Sequence, residues 1–265
     1  MNVQRMRLKK LNNTRDLGGF PVADGKKIKR DKLIRSGRMH KLPPQTVSAL
    51  LKKGLTTIID LRTEREQHEY PDTKINGVKT VNLPLVCTAT VGITYTKSMA
   101  RTMLDESKRI KTEFGTADNY MSSMYETVLF GDDGRRSLKE FFKILLEAEG
   151  CVIWHCNAGK DRTGLCAMLL EFVLGVNEKL IIADYCASKK FQHTRRFWQK
   201  AALVIAPMPR RFKHILIALM EAKPQYIIGA IDKIKELYGS VTEYCKQSLG
   251  LTDEQIELLK SKYTE

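Results

Sequence analysis

Hydrophobic and polar positions follow two periods along this chain, and the switches between them mark most of its elements. Residues 56–61 (TTIIDL), 78–83 (before Pro84) and 151–154 (CVIW) read as buried strands, being short apolar runs bounded by turn residues. Helical spacing governs residues 45–53, after Pro43-Pro44 and up to a C-cap at Gly54, and again residues 118–130. Gly131-Asp132-Asp133-Gly134 breaks that second helix, and the period resumes over 138–146. Leu165, Met168, Leu169, Phe172 and Val176 fall at helical intervals in a stretch apolar on most sides, which predicts a central buried helix. Thr63 with Glu66 and Thr252 with Gln255 have capping-box spacing, and Asn177 can cap a helix through Ala187. The first sixty residues read as turns and short strands, with Asp24-Gly25 as a hairpin signal, while 86–117 shows no clean period and reads as irregular. Strands alternating with helices predict an α/β fold with a central, mainly parallel sheet flanked by helices.

Length and composition narrow the class. A chain of 265 residues can bury a full core, and 43% hydrophobic content argues against disorder, so one domain over 1–265 is expected. The basic N-terminus is followed by no apolar h-region, and no run approaches the ~18 residues of a membrane span. This predicts no stable membrane insertion and a cytoplasmic protein, with export by a signal-peptide-independent route left open. Six scattered cysteines show no zinc spacing, so no metal or cofactor is expected and the thiols read as reduced. The oligomeric state is not legible.

A net charge of +15 raises nucleic acid, a membrane surface or a polyanionic substrate as partners. About half of that excess comes from residues 185–215, which hold eight Lys/Arg and no Asp or Glu. With no RNP motif and no zinc-finger spacing, nucleic acid is not expected. The basic segment is either a solvated face or an electrostatic funnel beside a phosphate site.

The sharpest chemistry lies at 155–164, HCNAGKDRTG, between a strand and a helix N-terminus, where unpaired amides and a partial positive charge favour an anion. Cys156 there should have a lowered pKa. Arg162 can fork two phosphoryl oxygens, Gly159 permits positive φ, and Thr163 can hydrogen-bond the thiolate. A Walker A loop is excluded, since Trp154 stands where it needs glycine and Asp161 where it needs Ser or Thr.

The loop fits HCx5R[ST] and resembles the protein tyrosine phosphatase superfamily, in its bacterial dual-specificity branch related to the secreted mycobacterial phosphatase B. Segments NTRDLGG (13–19), LIRSG (33–37), IIDLRTERE (58–66), IIADY (181–185) and ELYGSVTEYCKQSLGLT (236–252) resemble the same family in the same order. The resemblance implies a phosphomonoester hydrolase working through a phosphocysteine. Cys156 would be the nucleophile and Arg162 the transition-state clamp, with Asn157, Ala158, Gly159, Lys160, Asp161, Arg162 and Thr163 binding phosphate and His155 in support. Phosphotyrosine proteins are the expected substrates, with phosphoserine/threonine and phosphoinositides as further ones. A phosphoinositide or inositol-phosphate phosphatase with little protein activity, and a phosphate-binding pseudoenzyme, are the alternatives.

The proton donor is open between Asp60, preferred because it ends a parallel strand at the edge where such sheets place their sites, and Asp161 inside the loop. Asp132 and Asp133 read as a solvated turn. Lys160 adds a charge that a monophosphate does not need, which motivates the lipid substrates. Asn13, Arg15, Asp16 and Arg35 read as braces around the loop. Residues 188–223 are expected to form a helical lid, with Phe191, Thr194, Trp198, Ala201, Ala202 and Ile205 along one helix face; a basic membrane-facing helix and an ordinary packing helix are the other readings.

Overall fold

The computed structural model describes residues 3–85, 99–192, 201 and 209–265. Five strands, β1 (Arg15–Asp16), β2 (Leu33–Ser36), β3 (Leu55–Asp60), β4 (Lys79–Asn82) and β5 (Cys151–His155), form one sheet in the order β1-β2-β5-β3-β4. Only β1 runs antiparallel. Ser36, Asp60 and His155 share one level of the sheet, and Asp60 also pairs with Asn82, so four strands end at a common carboxyl edge with Cys156 just beyond it.

Eleven helices are described: α1 (Pro44–Lys52), α2 (Glu64–Glu69), α3 (Met99–Phe114), α4 (Ala117–Phe130), α5 (Asp132–Glu147), α6 (Asp161–Val173), α7 (Glu178–Phe191), α8 (Arg210–Leu219), α9 (Pro224–Tyr238), α10 (Val241–Gln247) and α11 (Asp253–Tyr263). Strand residues alternate between two packed faces. Ile34, Ile58 and Ile153 join Leu50 of α1 on one side, while Leu33, Ile59, Val152 and Trp154 join the larger core built on α4–α6 and α9–α11. Each such fully buried side chain contributes about 1.5–3 kcal/mol relative to exposure. Helix α6 is buried almost all round, as its composition requires, and Trp154 Nε1 donates to Thr163 O at 3.2 Å, binding strand end to helix start.

The capping boxes at Thr63/Glu66 and Thr252/Gln255 are both present, Asn177 caps α7, and the Asp24-Gly25 turn closes a bridge between Pro21 and Lys27. Two expectations are corrected. Residues 86–117 are not irregular throughout, since α3 occupies sixteen of them; it is a polar helix, reinforced by Arg109 reaching Glu106 and Glu113 at 2.7 Å each. Helix α5 starts at Asp132, with only Gly131 as the break, because Gly134 lies so close to α4 that a Cβ would sit 2.0 Å from Val128 O. Of the segment 188–223, residues 193–200 and 202–208, including Thr194, Trp198, Ala202 and Ile205, lie outside the described residues. Among the described residues no helix is long and apolar enough to cross a membrane.

Candidate active site

The loop from Cys156 to Lys160 joins the sheet's central strand to α6, and its shape is set by what holds its carbonyls. Asn157 O accepts from the Arg38 amide at 3.3 Å. Ala158 O accepts from Asn13 Nδ2 at 3.1 Å and Gln192 Nε2 at 2.7 Å. Gly159 O accepts from Asn13 at 2.7 Å and Arg35 at 3.2 Å, and Arg35 also reaches Lys160 O at 3.4 Å. In a trans peptide the carbonyl and the next N–H point in opposite directions, and the described residues hold no cis bond. Four carbonyls bonded on the loop's outer side therefore turn the amides of 158–161 to its inner side, at the start of α6. Gly159 is obligatory: its φ is +65°, and a Cβ there would lie 2.4 Å from Ser36 O.

The braces are themselves buried and ionic. Asp184 of α7 accepts from Arg15 Nε at 2.6 Å and pairs with Arg35 as well, fixing both arginines behind the loop. Asn13 and Arg35 thus support the loop as expected, while Asp16 holds a different turn through the amides of Gly18 and Asp31, at 2.8 Å each.

Cys156 is buried, and burial opposes its ionisation; Arg162 and the hydroxyl and amide of Thr163 outweigh that, bringing the thiol below its ordinary range. The contrast is Cys151, which lacks such neighbours and is pushed up to about 12 by burial. The Thr163 hydroxyl is buried with no other partner, beside the Cys156 thiol that it helps to ionise. Arg162 is held by Glu66 through two bonds, NH1 to Oε2 at 2.7 Å and NH2 to Oε1 at 2.8 Å. Burial works against the Glu66 charge, yet Arg162 keeps its carboxyl below the usual range. In the sequence Glu66 is legible only as a helix cap.

The carboxylates sort by environment. Asp60 does end β3 at the carboxyl edge, but its two oxygens accept from Arg62 at 2.8 and 2.7 Å and its side chain is 3% exposed. The position preferred for an acid is thus occupied by a closed ion pair. Asp161, 23% exposed, accepts from Tyr125 OH at 2.7 Å on one oxygen and has Lys160 Nζ 3.4 Å from the other. Asp132 and Asp133 are exposed in the first turn of α5, paired with Arg135 and Arg136.

His155 sits between acceptors: Nε2 is 2.7 Å from Asp72 Oδ2, and Nδ1 is 3.3 Å from Cys156 O and 3.9 Å from Asp60. Burial disfavours its charge, but the bond to Asp72 overrides it and raises its pKa. Asp60, Asp72 and His155 place ligand atoms within 4.8 Å of one another, a spacing a metal could use, but Arg62 lies among them and bonds both carboxylates. Lys160 is turned away from the loop's interior: Nζ donates to Leu219 O at 2.7 Å and Glu221 O at 2.9 Å, at the C-terminal end of α8. The charge expected to meet substrate is spent on that helix end.

An ionisable thiol, a fixed guanidinium and converging amides form a site suited to a tetrahedral dianion. The sequence profile of the tyrosine phosphatase family matches residues 6–265. The chain belongs to the tyrosine phosphatase family. Relatives within it include a candidate tyrosine-protein phosphatase of Cupriavidus necator, 29% identical over 93% of this chain and 84% of that one. The triple specificity protein phosphatase PtpB of Mycobacterium tuberculosis is 24% identical over 89% of this chain and 91% of its own. Among solved structures, P. aeruginosa TpbA covers 67% of this chain and 80% of its own at 16% identity and a TM-score of 0.29, too slight a likeness to argue from.

Proposed function

We propose that this family member is a cysteine-dependent phosphatase whose principal substrates are phosphotyrosine proteins, and that the observation carrying this reading is the buried Cys156 at the head of a loop whose carbonyls are bonded outward, with Arg162 of the same motif fixed by Glu66. The Cys156 thiolate attacks phosphorus, forming the S–P bond as the P–O bond to the tyrosine breaks. Arg162 and the amides take up the charge of the three equatorial oxygens in the transition state. Asp161 delivers its proton to the departing phenolate oxygen; its exposure at the first turn of α6 and the closed Asp60–Arg62 pair both favour it over Asp60. Water then attacks phosphorus, gives its proton back to Asp161 and releases phosphate as the S–P bond breaks. Asn157 to Thr163 line the phosphate site and His155 supports Cys156 from behind.

Within one unit spanning 1–265, the expected cover 188–223 is tied at both ends to the outer side of the loop, where Gln192 bonds Ala158 O and Lys160 bonds the carbonyls at 219 and 221. Lys160 in that role offers little support for phosphoinositides as the preferred substrate. Phosphoserine/threonine peptides and phosphoinositides are the further substrates to assay beside phosphotyrosine.

Hydrolysis of p-nitrophenyl phosphate and of a phosphotyrosine peptide, with Cys156→Ser as control and acid quench to trap a phosphocysteine, tests the reading. Turnover that survives in Cys156→Ser would overturn the mechanism, and a folded wild-type protein that binds phosphate without turnover would make it a pseudoenzyme.

A further inference from the structure

Arg38 stands two residues beyond β2, at the rim of the loop. Its amide donates to Asn157 O at 3.3 Å and its NH1 lies 3.4 Å from Asn157 Oδ1, so it is bound to the residue directly after Cys156. Its guanidinium lies over the Tyr70 ring, 4.0 Å from the centroid, and His40 packs edge-on against the same ring. A guanidinium laid over an aromatic face keeps its N–H edge free for an anion. Arg38 forms no ion pair with any described carboxylate, and its one side-chain hydrogen bond is long.

The protein carries a second basic surface tied to the same loop. A groove of about 860 Å3 runs between the N-terminal segment and the end of α7, lined by the exposed Arg5, Arg7, Lys9 and Lys190 and by no carboxylate among the described residues. Both walls are fastened to the loop, through Asn13 and Gln192 respectively. The same N-terminal segment is fixed beside Arg38, since Asn12 O accepts from the Gly37 amide at 2.9 Å. The large apolar side chains that the described surface exposes, Leu51, Ile228, Leu237 and Leu258, belong to α1, α9 and α11 and none lines the groove. Val3, Leu8 and Phe191 also line the groove, but they are half-buried or buried while its cations are exposed, so an extended acidic chain fits this surface better than a bilayer, which would need exposed apolar residues to insert.

We propose that Arg38 is a specificity-determining residue that reads a second negative charge beside the scissile phosphate, so that the preferred substrates are phosphotyrosine segments with acidic neighbours. This rests on the phosphatase reading of the Cys156 loop. Lys160 does not supply the second charge, because its ammonium is engaged at α8.

The test compares kcat/KM of wild type, Arg38→Ala and Arg38→Lys on a phosphotyrosine peptide with Asp/Glu neighbours and on the same peptide with Asn/Gln. Wild type is expected to favour the acidic peptide by on the order of tenfold, mostly in KM. Arg38→Ala should bring that ratio near one, and Arg38→Lys, which keeps the charge but loses the flat stack, should fall between. Because a variant can fail to fold, the wild-type ratio is also followed as salt is raised from about 50 to about 500 mM, where it should decline. A wild-type ratio near one, a ratio insensitive to salt, or one unchanged in Arg38→Ala overturns the proposal. A larger loss in Arg38→Ala on a bisphosphorylated inositol lipid in vesicles than on the acidic peptide overturns the substrate class. Wild-type turnover of p-nitrophenyl phosphate, abolished in Cys156→Ser, reports separately on the phosphatase reading.

Discussion

Glu66 grips Arg162 with both carboxylate oxygens while one of the same oxygens accepts from the Thr63 amide at 3.0 Å, so the start of α2 and the loop's cation share a single side chain. Glu66→Gln keeps a residue able to fill the capping box but removes the ionic fork. It is expected to lower kcat/KM on p-nitrophenyl phosphate by on the order of 100-fold, about 2.7 kcal/mol of transition-state stabilisation. A variant with wild-type kcat/KM would show that Arg162 needs no such holder.

Asp161→Asn and Asp60→Asn should fail differently. Loss of the Asp161 proton is expected to flatten the basic limb of the pH–rate profile and cut kcat by about 100-fold or more. Asp60→Asn leaves the Arg62 charge buried with half its support and is expected to cost about 3 kcal/mol of stability, seen as a lower urea midpoint, with the basic limb retained. If the basic limb vanishes in Asp60→Asn alone, the proton donor has been misassigned.

The His155–Asp72 pair gives the fold a pH dependence of definite sign. His155, raised above its ordinary ~6.5, contributes stability that is complete below about pH 6.5 and fades as pH climbs through the folded value. Burial works against the charge of Asp72, but His155 keeps its carboxyl below the usual ~3.9; its contribution is present above about pH 3.9 and fades as pH falls through the folded value. The pair therefore acts most strongly between these limits. Chemical denaturation from about pH 6 to about pH 9 should show stability declining in wild type and a flatter curve in Asp72→Asn. Superimposable curves for the two proteins would remove His155 as the titrating group.

Gly159→Ala places a side chain where φ is +65° and Ser36 O is already in the way. A loss of more than about 2 kcal/mol in stability, together with loss of phosphate binding by calorimetry, is expected. Retention of both would mean that the loop can be rebuilt around a Cβ.

Lys160→Met should release the C-terminal end of α8. Two bonds from a buried ammonium to carbonyls are lost, so faster hydrogen exchange over 215–222 and a drop of about 1–3 kcal/mol in stability are expected. Unchanged exchange there would show that α8 is held by packing alone.

Much of this arrangement is legible in the residues because its signals are local. The strands ending at Asp60 and His155, the caps at Thr63, Asn177 and Thr252, and the Cys156–Arg162 loop each announce themselves within ten residues. Helix α3 does not, since the side it buries, with Ser107, Ile110 and Phe114, is short and interrupted by a serine, and its Arg109 ion pairs leave no local mark. Partnerships across the chain are equally silent: Asp72 reaches His155 from 83 positions away, and Glu66 reaches Arg162 from 96. The Asp60–Arg62 pair is hidden for the opposite reason. The place of Asp60 at the sheet edge is readable, but whether Arg62, two residues on, folds back onto both oxygens depends on a buried geometry that spacing does not encode.

The carbonyls of 157–160 are anchored by residues as far apart as Asn13, Arg35, Arg38 and Gln192. The ten-residue motif is therefore not a portable module. Transplanted with its own strand and helix into another scaffold, it would carry the thiol and the guanidinium but lose the inward amides, and an excised fragment could recover them only if it reached from about residue 13 to about residue 192.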